Sequence, residues 1–254
     1  MKVCVITGAS RGIGLAILKE FKKNGFFTVN LSRSKSPEAS LNIKVDLSKS
    51  DDTVKGVSQL LQEVPQIDIL VNNAGIGLYE TWEEMSMEDL RKVFEVNFFA
   101  PVILTKSLLP FLKETNGTII NVSSVAGKLY VPYMGGYSAS KFALNAFSDS
   151  LRAEIKKYNV HVLNLIVGRI DTGFSNNALG SKKPPETFGG SATTEKLARV
   201  AYKAYIKRKR EIVYPKWYRP LIWIANLFPS IYDRVALKSW EKANDERGEN
   251  PLEY

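Results

Sequence analysis

Thr7-Gly8-Ala9-Ser10-Arg11-Gly12-Ile13-Gly14 is the stretch on which the fold turns. A β-rich run over residues 2–7 leads into it, and a helix-like run over 14–24, stopped by Gly25, leads out. Glycines allow a tight turn and let the backbone come close to a pyrophosphate. The helix start then offers free N–H groups and the positive end of the helix dipole. Gly8, Ser10, Arg11, Gly12, Ile13 and Gly14 are therefore candidates for cradling a dinucleotide. Glycine-rich turns are common in α/β proteins; the position directly after the first strand is what gives this one weight. The loop lacks the Gly-Lys-Ser/Thr ending of nucleotide hydrolases, which argues against ATP or GTP hydrolysis.

Outward from the loop, apolar runs predict strands at 26–31, 43–46, 67–71, 118–122 and 161–166. Helical patterns fall at 51–63, ended by Pro65, at 86–108 with Pro101 as a local irregularity, and at 137–157. Strands that are apolar almost throughout, alternating with helices, imply a parallel sheet covered on both faces. The expected fold is thus a single α/β domain, a doubly wound parallel sheet. Residues 1–172 should form its cofactor-binding and catalytic core. Residues 171–194, rich in Gly, Ser, Asn and Pro, are either a functional lid or disordered, and 173–194 are assigned as the substrate loop. A helix over 195–210, capped by Thr194, and a short strand at 212–214 open an extension over 195–254.

The second strand ends in Asn30-Leu31-Ser32-Arg33. A site specific for NAD would favour an acid here; an arginine suits the 2′-phosphate of NADP. Arg11 offers a second cation. Both are also acceptable as plain surface arginines. Asp46, at the end of the third strand, is placed to accept from an adenine amino group or to cap the next helix.

Composition narrows the chemistry. The chain has 254 residues, 44% hydrophobic and 24% charged, which argues against disorder and coiled coil. A single cysteine, Cys4, and a single histidine, His161, exclude a disulfide framework and leave no basis for a zinc site or a Ser-His-Asp triad; no metal is expected. The net charge of +9 is concentrated: residues 196–219 carry nine basic side chains and one acid. No basic leader with an apolar run precedes the glycine loop, and the richest apolar stretch, 221–229, is about half of what a spanning helix needs. A cytoplasmic protein is expected, with attachment to a membrane surface left open.

Tyr137-Ser138-Ala139-Ser140-Lys141 sets a phenol and an ammonium one helical turn apart. Lysine beside tyrosine should favour the phenolate and lower its pKa from about 10. Such a phenol passes a proton to a carbonyl oxygen, or takes one from an alcohol. Ser124, just past a strand, is positioned to hold that oxygen. Tyr-x-x-x-Lys alone is frequent by chance; with the glycine loop and Ser124 it is hard to read as accident.

Together with Asn72-Asn73-Ala74-Gly75, Asn97 and Ser123-Ser124, these pieces resemble the classical short-chain dehydrogenases/reductases over about residues 1–172. The resemblance implies a Rossmann fold around seven parallel strands and a catalytic tetrad of Asn97, Ser124, Tyr137 and Lys141. Tyr137 would be the general acid/base and Ser124 would orient the substrate. Lys141 would hold the nicotinamide ribose, and Asn97 a water for proton relay. Asn73, Ala74 and Gly75 would line the cofactor, Asp46 and Leu47 the adenine, and Ile170 and Thr172 the carboxamide end. It implies NADP as cofactor, hydride transfer to or from a carbonyl or secondary alcohol carbon, and a homodimer or homotetramer built through 86–108 and 137–157. The family spacing selects Ser124 over Ser123. Ser138 and Ser140 are read as helix surface or cofactor-facing packing. The intact tetrad argues against the rival reading, a non-catalytic NADP-binding regulator or scaffold.

Two departures stand out. Val167-Gly168 replaces the family's Pro-Gly, and the C-terminal extension resembles members acting on lipids, steroids or retinoids. The substrate pocket is expected from 129–134, Tyr79 and 173–193. Leu129, Tyr130, Val131, Pro132, Phe174 and Leu179 are mostly apolar, which favours an apolar ketone, steroid, retinoid or acyl-type substrate, although plain packing gives the same pattern. Three readings compete for the extension. Residues 218–240 form amphipathic helices on an anionic bilayer, supported by Lys207-Arg208-Lys209-Arg210 within a 196–240 contact region. Or Trp217, Tyr218, Trp223, Phe228, Tyr232 and Trp240 pack over the cleft or a second subunit. Or the basic patch binds nucleic acid, for which no zinc finger or base-reading helix gives support.

Overall fold

The computed structural model describes residues 1–185 and 192–245. Its strands are β1 (Val3–Thr7), β2 (Phe27–Ser32), β3 (Leu41–Lys44), β4 (Ile69–Asn72), β5 (Thr118–Ser124), β6 (His161–Val167) and β7 (Glu211–Tyr214). They form one sheet in the order β3-β2-β1-β4-β5-β6-β7, and every pairing is parallel. Between and after them run α1 (Gly12–Lys23), α2 (Ser50–Glu63), α3 (Met87–Phe94), α4 (Ala100–Glu114), α5 (Gly135–Ile155), α6 (Thr194–Ile206), α7 (Tyr218–Leu227) and α8 (Pro229–Asp245). This is a single-domain Rossmann fold. The winding direction reverses between β1 and β4, and ligands of such sheets bind beyond the strand C-termini at that switch.

Strand alternation divides the core in two. Val3, Val5, Val29, Leu70 and Ile119 face one side, where Leu60 of α2, Leu104 and Leu108 of α4 and Leu151 of α5 cover them. Cys4, Ile6, Ile69, Val71, Ile120 and Leu163 face the other, under Ile17 and Phe21 of α1 and Leu197 and Ala201 of α6. Each such Val, Leu, Ile or Phe side chain contributes about 1.5–3 kcal/mol by leaving water.

The irregularity expected at Pro101 appears just before it, as a π turn over Glu95–Phe99. Proline has no N–H, so it takes away the donor that an α-helix would bring to the Asn97 carbonyl. The whole segment Met87–Glu114 is long and apolar enough to cross a membrane by length and composition. It outruns the stretch over 221–229, expected from the sequence to be the richest apolar run. Within the longer segment, Leu104, Leu108 and Leu112 belong to the core, and its N-terminal turns are charged.

The cap of α6 is Thr193, whose Oγ accepts from Lys196 N at 3.3 Å, and not Thr194, which is already helical. The expected helix over 195–210 stops at Ile206, because Arg208 takes a left-handed φ of 45°. In the substrate loop, residues 173–185 are tied down. Tyr79 N donates to Leu179 O and Leu179 N to Gly77 O, both at 2.9 Å, and Ser181 N reaches the Glu80 carboxylate at 2.9 Å. The parts of the assigned substrate loop at 186–191 and of the extension at 246–254 lie outside the described residues.

Candidate active site

The ends of β1, β4 and β5 lie at one edge of the sheet, and polar side chains lock them together. Thr7 Oγ accepts from the N–H groups of Asn73 and Ala74, both at 2.9 Å. Asn73 Nδ2 donates to Thr7 O at 2.8 Å and Gly8 O at 3.3 Å, so its amide clips the glycine loop to β4. From the other side, Asn30 Oδ1 accepts from Ala9 N at 3.0 Å. Sequence reasoning missed Thr7 and Asn30; the available signal was a polar residue inside each apolar strand, which must find a partner when buried.

The loop itself needs its glycines. Gly8 and Gly12 sit at φ of 65° and 56°. A Cβ on Gly14 would lie 2.4 Å from both Asn73 Nδ2 and Gly8 O. The first turn of α1 has no side-chain cap and no acid, so its free N–H groups could hold an anion without competition.

A cavity of about 1180 Å³ runs from this loop. Gly8, Ser10, Arg11, Gly12, Ile13, Gly14, Arg33, Asp46, Leu47, Asn73, Ala74, Gly75, Ser124, Tyr137, Lys141, Ile170 and Thr172 all border it. Asn97 does not and stands behind its wall. At one end, burial pushes the Asp46 carboxyl up. The Ser48 hydroxyl and N–H, at 2.8 and 3.1 Å, and the Arg33 and Lys49 charges outweigh this and hold it below its ordinary value.

At the other end stand Tyr137 and Lys141, both buried on the first turns of α5. Burial pushes the Tyr137 phenol well up. A hydrogen bond with Ser124 opposes this and the nearby Tyr79 adds to it. The expected lowering by Lys141 is not what the structure gives. Lys141 Nζ lies 5.9 Å from the Tyr137 ring centre and donates to Val122 O at 3.1 Å, and burial lowers its own pKa to about 8.

Asn97 grips the Ile76 backbone both ways, accepting from N at 2.9 Å and donating to O at 3.0 Å. Its Nδ2 also donates to Ser140 Oγ at 3.0 Å, and Ser140 in turn donates to Tyr137 O at 2.7 Å. Ser138 and Ser140 are both buried, so neither belongs to the helix surface.

Beneath α5 runs a polar row the sequence did not announce. Asn72, Asn121 and Asn164 stand in register on β4, β5 and β6. Asn72 donates to Asn121, Asn121 to Ser148 of α5, and Asn164 to Asn145 of α5, each at 2.8 Å. These bonds fix the helix that carries the phenol and the ammonium.

Tyr79, Val131, Met134, Phe174 and Leu179 line the cavity beyond Tyr137. Three expected lining residues do not. Leu129 is in the core beside Ile166 and Val213, Tyr130 is exposed, and Pro132 does not reach the cavity. In their place the extension supplies Trp217, Tyr218, Leu221 and Trp240. Tyr218 lies so close to Gly168 that a Cβ there would sit 2.0 Å from its ring. Trp240 packs edge-on against Tyr79 with ring centres 6.0 Å apart. Val167, where the family has proline, pairs with both Ser124 and Tyr214 at the end of β6.

The model of the short chain dehydrogenase family matches residues 2–182. The chain belongs to the short-chain dehydrogenase/reductase family of oxidoreductases. It is 33% identical, over 96% of its length and 84% of the relative's, to a "Dehydrogenase/reductase SDR family protein 7-like" of Anopheles gambiae. It is also 33% identical, over 69% of its length and 66% of the relative's, to a "3-ketodihydrosphingosine reductase" of Bacteroides thetaiotaomicron. Among solved structures it resembles an alcohol dehydrogenase of Thermococcus sibiricus complexed with 5-hydroxy-NADP, with a TM-score of 0.73 and 28% identity over 84% of this chain and 95% of that one.

Proposed function

We propose that the protein is an NADP(H)-dependent oxidoreductase acting on a carbonyl or secondary alcohol carbon of an apolar substrate. The observation that carries this reading is one cavity with Ser124, Tyr137 and Lys141 at one end and Arg33 and Asp46 at the other. The site fits a nicotinamide dinucleotide. Gly14 leaves room where a side chain would block the loop, α1 offers uncapped N–H groups, and Arg33 brings a cation to the 2′-phosphate position. The likeness to a structure holding an NADP analogue supports the choice of NADP over NAD. When bound, the cofactor supplies or accepts the hydride.

The chain's own groups manage the proton. A phenol pushed up by burial holds its hydrogen at neutral pH, so Tyr137 donates O–H to the substrate oxygen during reduction. Ser124 holds the same oxygen. Lys141, protonated below a pKa of about 8, stabilises the phenolate that remains. The Asn97 side chain is occupied by Ile76 and Ser140. Its relay role falls to the backbone carbonyl, which Pro101 leaves without its α-helical donor.

The apolar lining by Val131, Phe174, Leu179 and Trp240 supports an apolar substrate, and the relative named as a reductase of 3-ketodihydrosphingosine supports a ketone. A homodimer or homotetramer through 86–108 and 137–157 is supported by Phe99 and Phe142, large apolar side chains left exposed on those two segments. The reading keeps a cytoplasmic location, with attachment to a membrane surface through 196–240 left open.

The test is oxidation of NADPH and of NADH, followed at 340 nm, with a panel of apolar ketones, steroids and acyl-type substrates. Turnover with NADPH that Tyr137→Phe cuts by about 10²–10⁴ is expected. NADPH binding with no turnover across the panel would sink the enzyme reading in favour of a regulator.

A further inference from the structure

We propose that α7 and α8 form a hairpin that docks on an anionic bilayer and feeds the cavity with substrate drawn from its acyl layer. The second half of this statement rests on reading the cavity as the substrate site. The first half does not.

Each helix has two faces. Inward, Ala225 of α7 and Trp240 and Asn244 of α8 are buried, and Tyr218, Leu221, Ser239 and Trp240 border the cavity. Outward, where a helix on a soluble surface carries polar side chains, Trp223 is 74% exposed, Leu227 65%, Ile231 61% and Val235 64%. Trp223 and Leu227 are spaced i,i+4 on α7, and Ile231 and Val235 are spaced i,i+4 on α8, so each helix carries a stripe. Phe228, exposed at the corner between the helices, joins them.

The charges choose the occupant. Arg234 and Lys238 are interleaved with Ile231 and Val235 on one side of α8, and Arg219 lies on α7. None of the three has a carboxylate partner among the described residues. The core of a protein–protein interface is depleted of lysine, and here Lys238 is interleaved with the stripe. An aromatic and aliphatic stripe flanked by Arg and Lys is the pattern of a helix lying in the headgroup region. A helix is about 10 Å across. That is close to the depth of about 5–10 Å at which interfacial helices sit. The inner wall of the hairpin is the cavity wall, so a bilayer on its outer face is one helix away from the site.

The cluster expected to assist, Lys207-Arg208-Lys209-Arg210, belongs to the opposite edge of the sheet. His161, the first residue of β6, lies 3.0 Å from Lys209 O, Arg208 reaches Asn159 O at 2.9 Å and Arg210 reaches Asp149 at 2.9 Å. Docking therefore relies on Arg219, Arg234 and Lys238.

Flotation of the full chain with phosphatidylcholine vesicles, with and without phosphatidylserine, tests this, with tryptophan fluorescence as a second readout. Binding to the anionic vesicles with a blue shift is expected. Leu227→Glu/Ile231→Glu should weaken it more than roughly tenfold, since charged side chains replace the inserted stripe. Arg234→Gln and Lys238→Gln should each cost about fivefold on anionic vesicles and nothing on neutral ones. These four residues do not border the cavity, so NADPH turnover of a water-soluble ketone should be unchanged, while turnover of a long-chain ketone held in vesicles should fall. Absence of binding by the unaltered protein would overturn the proposal, as would undiminished binding by Leu227→Glu/Ile231→Glu together with Arg234→Gln and Lys238→Gln. A loss of self-association in Leu227→Glu/Ile231→Glu with vesicle binding intact would assign the face to a second copy instead. Failure of NADPH turnover with vesicle binding retained would sink the oxidoreductase reading and leave the docking face standing.

Discussion

Asn97 and Ser140 meet at 3.0 Å, amide to hydroxyl, across the junction between the π turn and the first turns of α5. The same hydroxyl donates to the carbonyl of Tyr137. A side chain that touches no substrate thus ties the Ile76 loop to the turn that carries the phenol. Ser140→Ala should lower stability by about 1–3 kcal/mol, because it leaves buried polar groups short of a partner. It should also reduce kcat more than it raises KM. Urea unfolding and steady-state kinetics check both. An unchanged kcat would show that the tie does not position Tyr137.

Removal of the phenol oxygen is a sharper change. Tyr137→Phe should cost about 10²–10⁴ in kcat, the usual contribution of a positioned general acid. NADPH binding, followed by nucleotide fluorescence, should persist.

The buried lysine gives the fold a pH dependence. Lys141 has a pKa of about 8 in the folded protein, against about 10.4 in an unfolded chain. Between these values the unfolded chain binds more protons, so stability should rise as pH goes from about 8 to about 10. The full effect is on the order of 3 kcal/mol. Above about 10 the trend reverses, since Tyr137 keeps its proton when folded and loses it when unfolded. Lys141→Met should abolish the rise. Urea titrations of nucleotide-free protein across this range measure it.

Cofactor choice should turn on one cation. Arg33→Asp should cost about ten- to a hundredfold in affinity for NADPH, the worth of a charged hydrogen bond to phosphate. It should leave NADH binding equal or better. Titration of both nucleotides into the two proteins decides this; an unchanged ratio would move the 2′-phosphate away from Arg33.

Gly14→Ala places a methyl group where Asn73 Nδ2 and Gly8 O already stand at 2.4 Å. Both neighbours hold the glycine loop in shape, so nucleotide binding should be lost and stability should fall by about 1–3 kcal/mol. Thermal unfolding with and without NADPH reads the two effects separately.

The sequence carried the sheet because the signal there is local: each strand is an apolar run and each helix has its own period. The residues around Tyr137 were legible for the same reason, since Tyr137 and Lys141 share one helix. What escaped were partnerships made across strands. Asn72, Asn121 and Asn164 are far apart in sequence, and only the parallel register aligns them. Thr7 looked like the end of a strand, yet its hydroxyl organises the neighbouring strand end. The sign of the Tyr137 shift is not legible in the sequence, because one-turn spacing reports proximity to Lys141 and says nothing of burial, which dominates here. Of the apolar residues expected in the pocket wall, Leu129, Tyr130 and Pro132 do not border it, while Trp217, Tyr218 and Trp240 take the place that packing over the cleft would give them, with Leu221 beside them.

The π turn at Glu95–Phe99 also works as a change of phase. A residue added to a helix rotates everything beyond it by about 100°. Met87–Glu114 therefore presents one stripe toward α5 before the turn and another toward α2 after it. Deleting one residue between 95 and 99 would restore regular winding at the expense of alignment, leaving one half of the segment turned away from the surface it was shaped to meet.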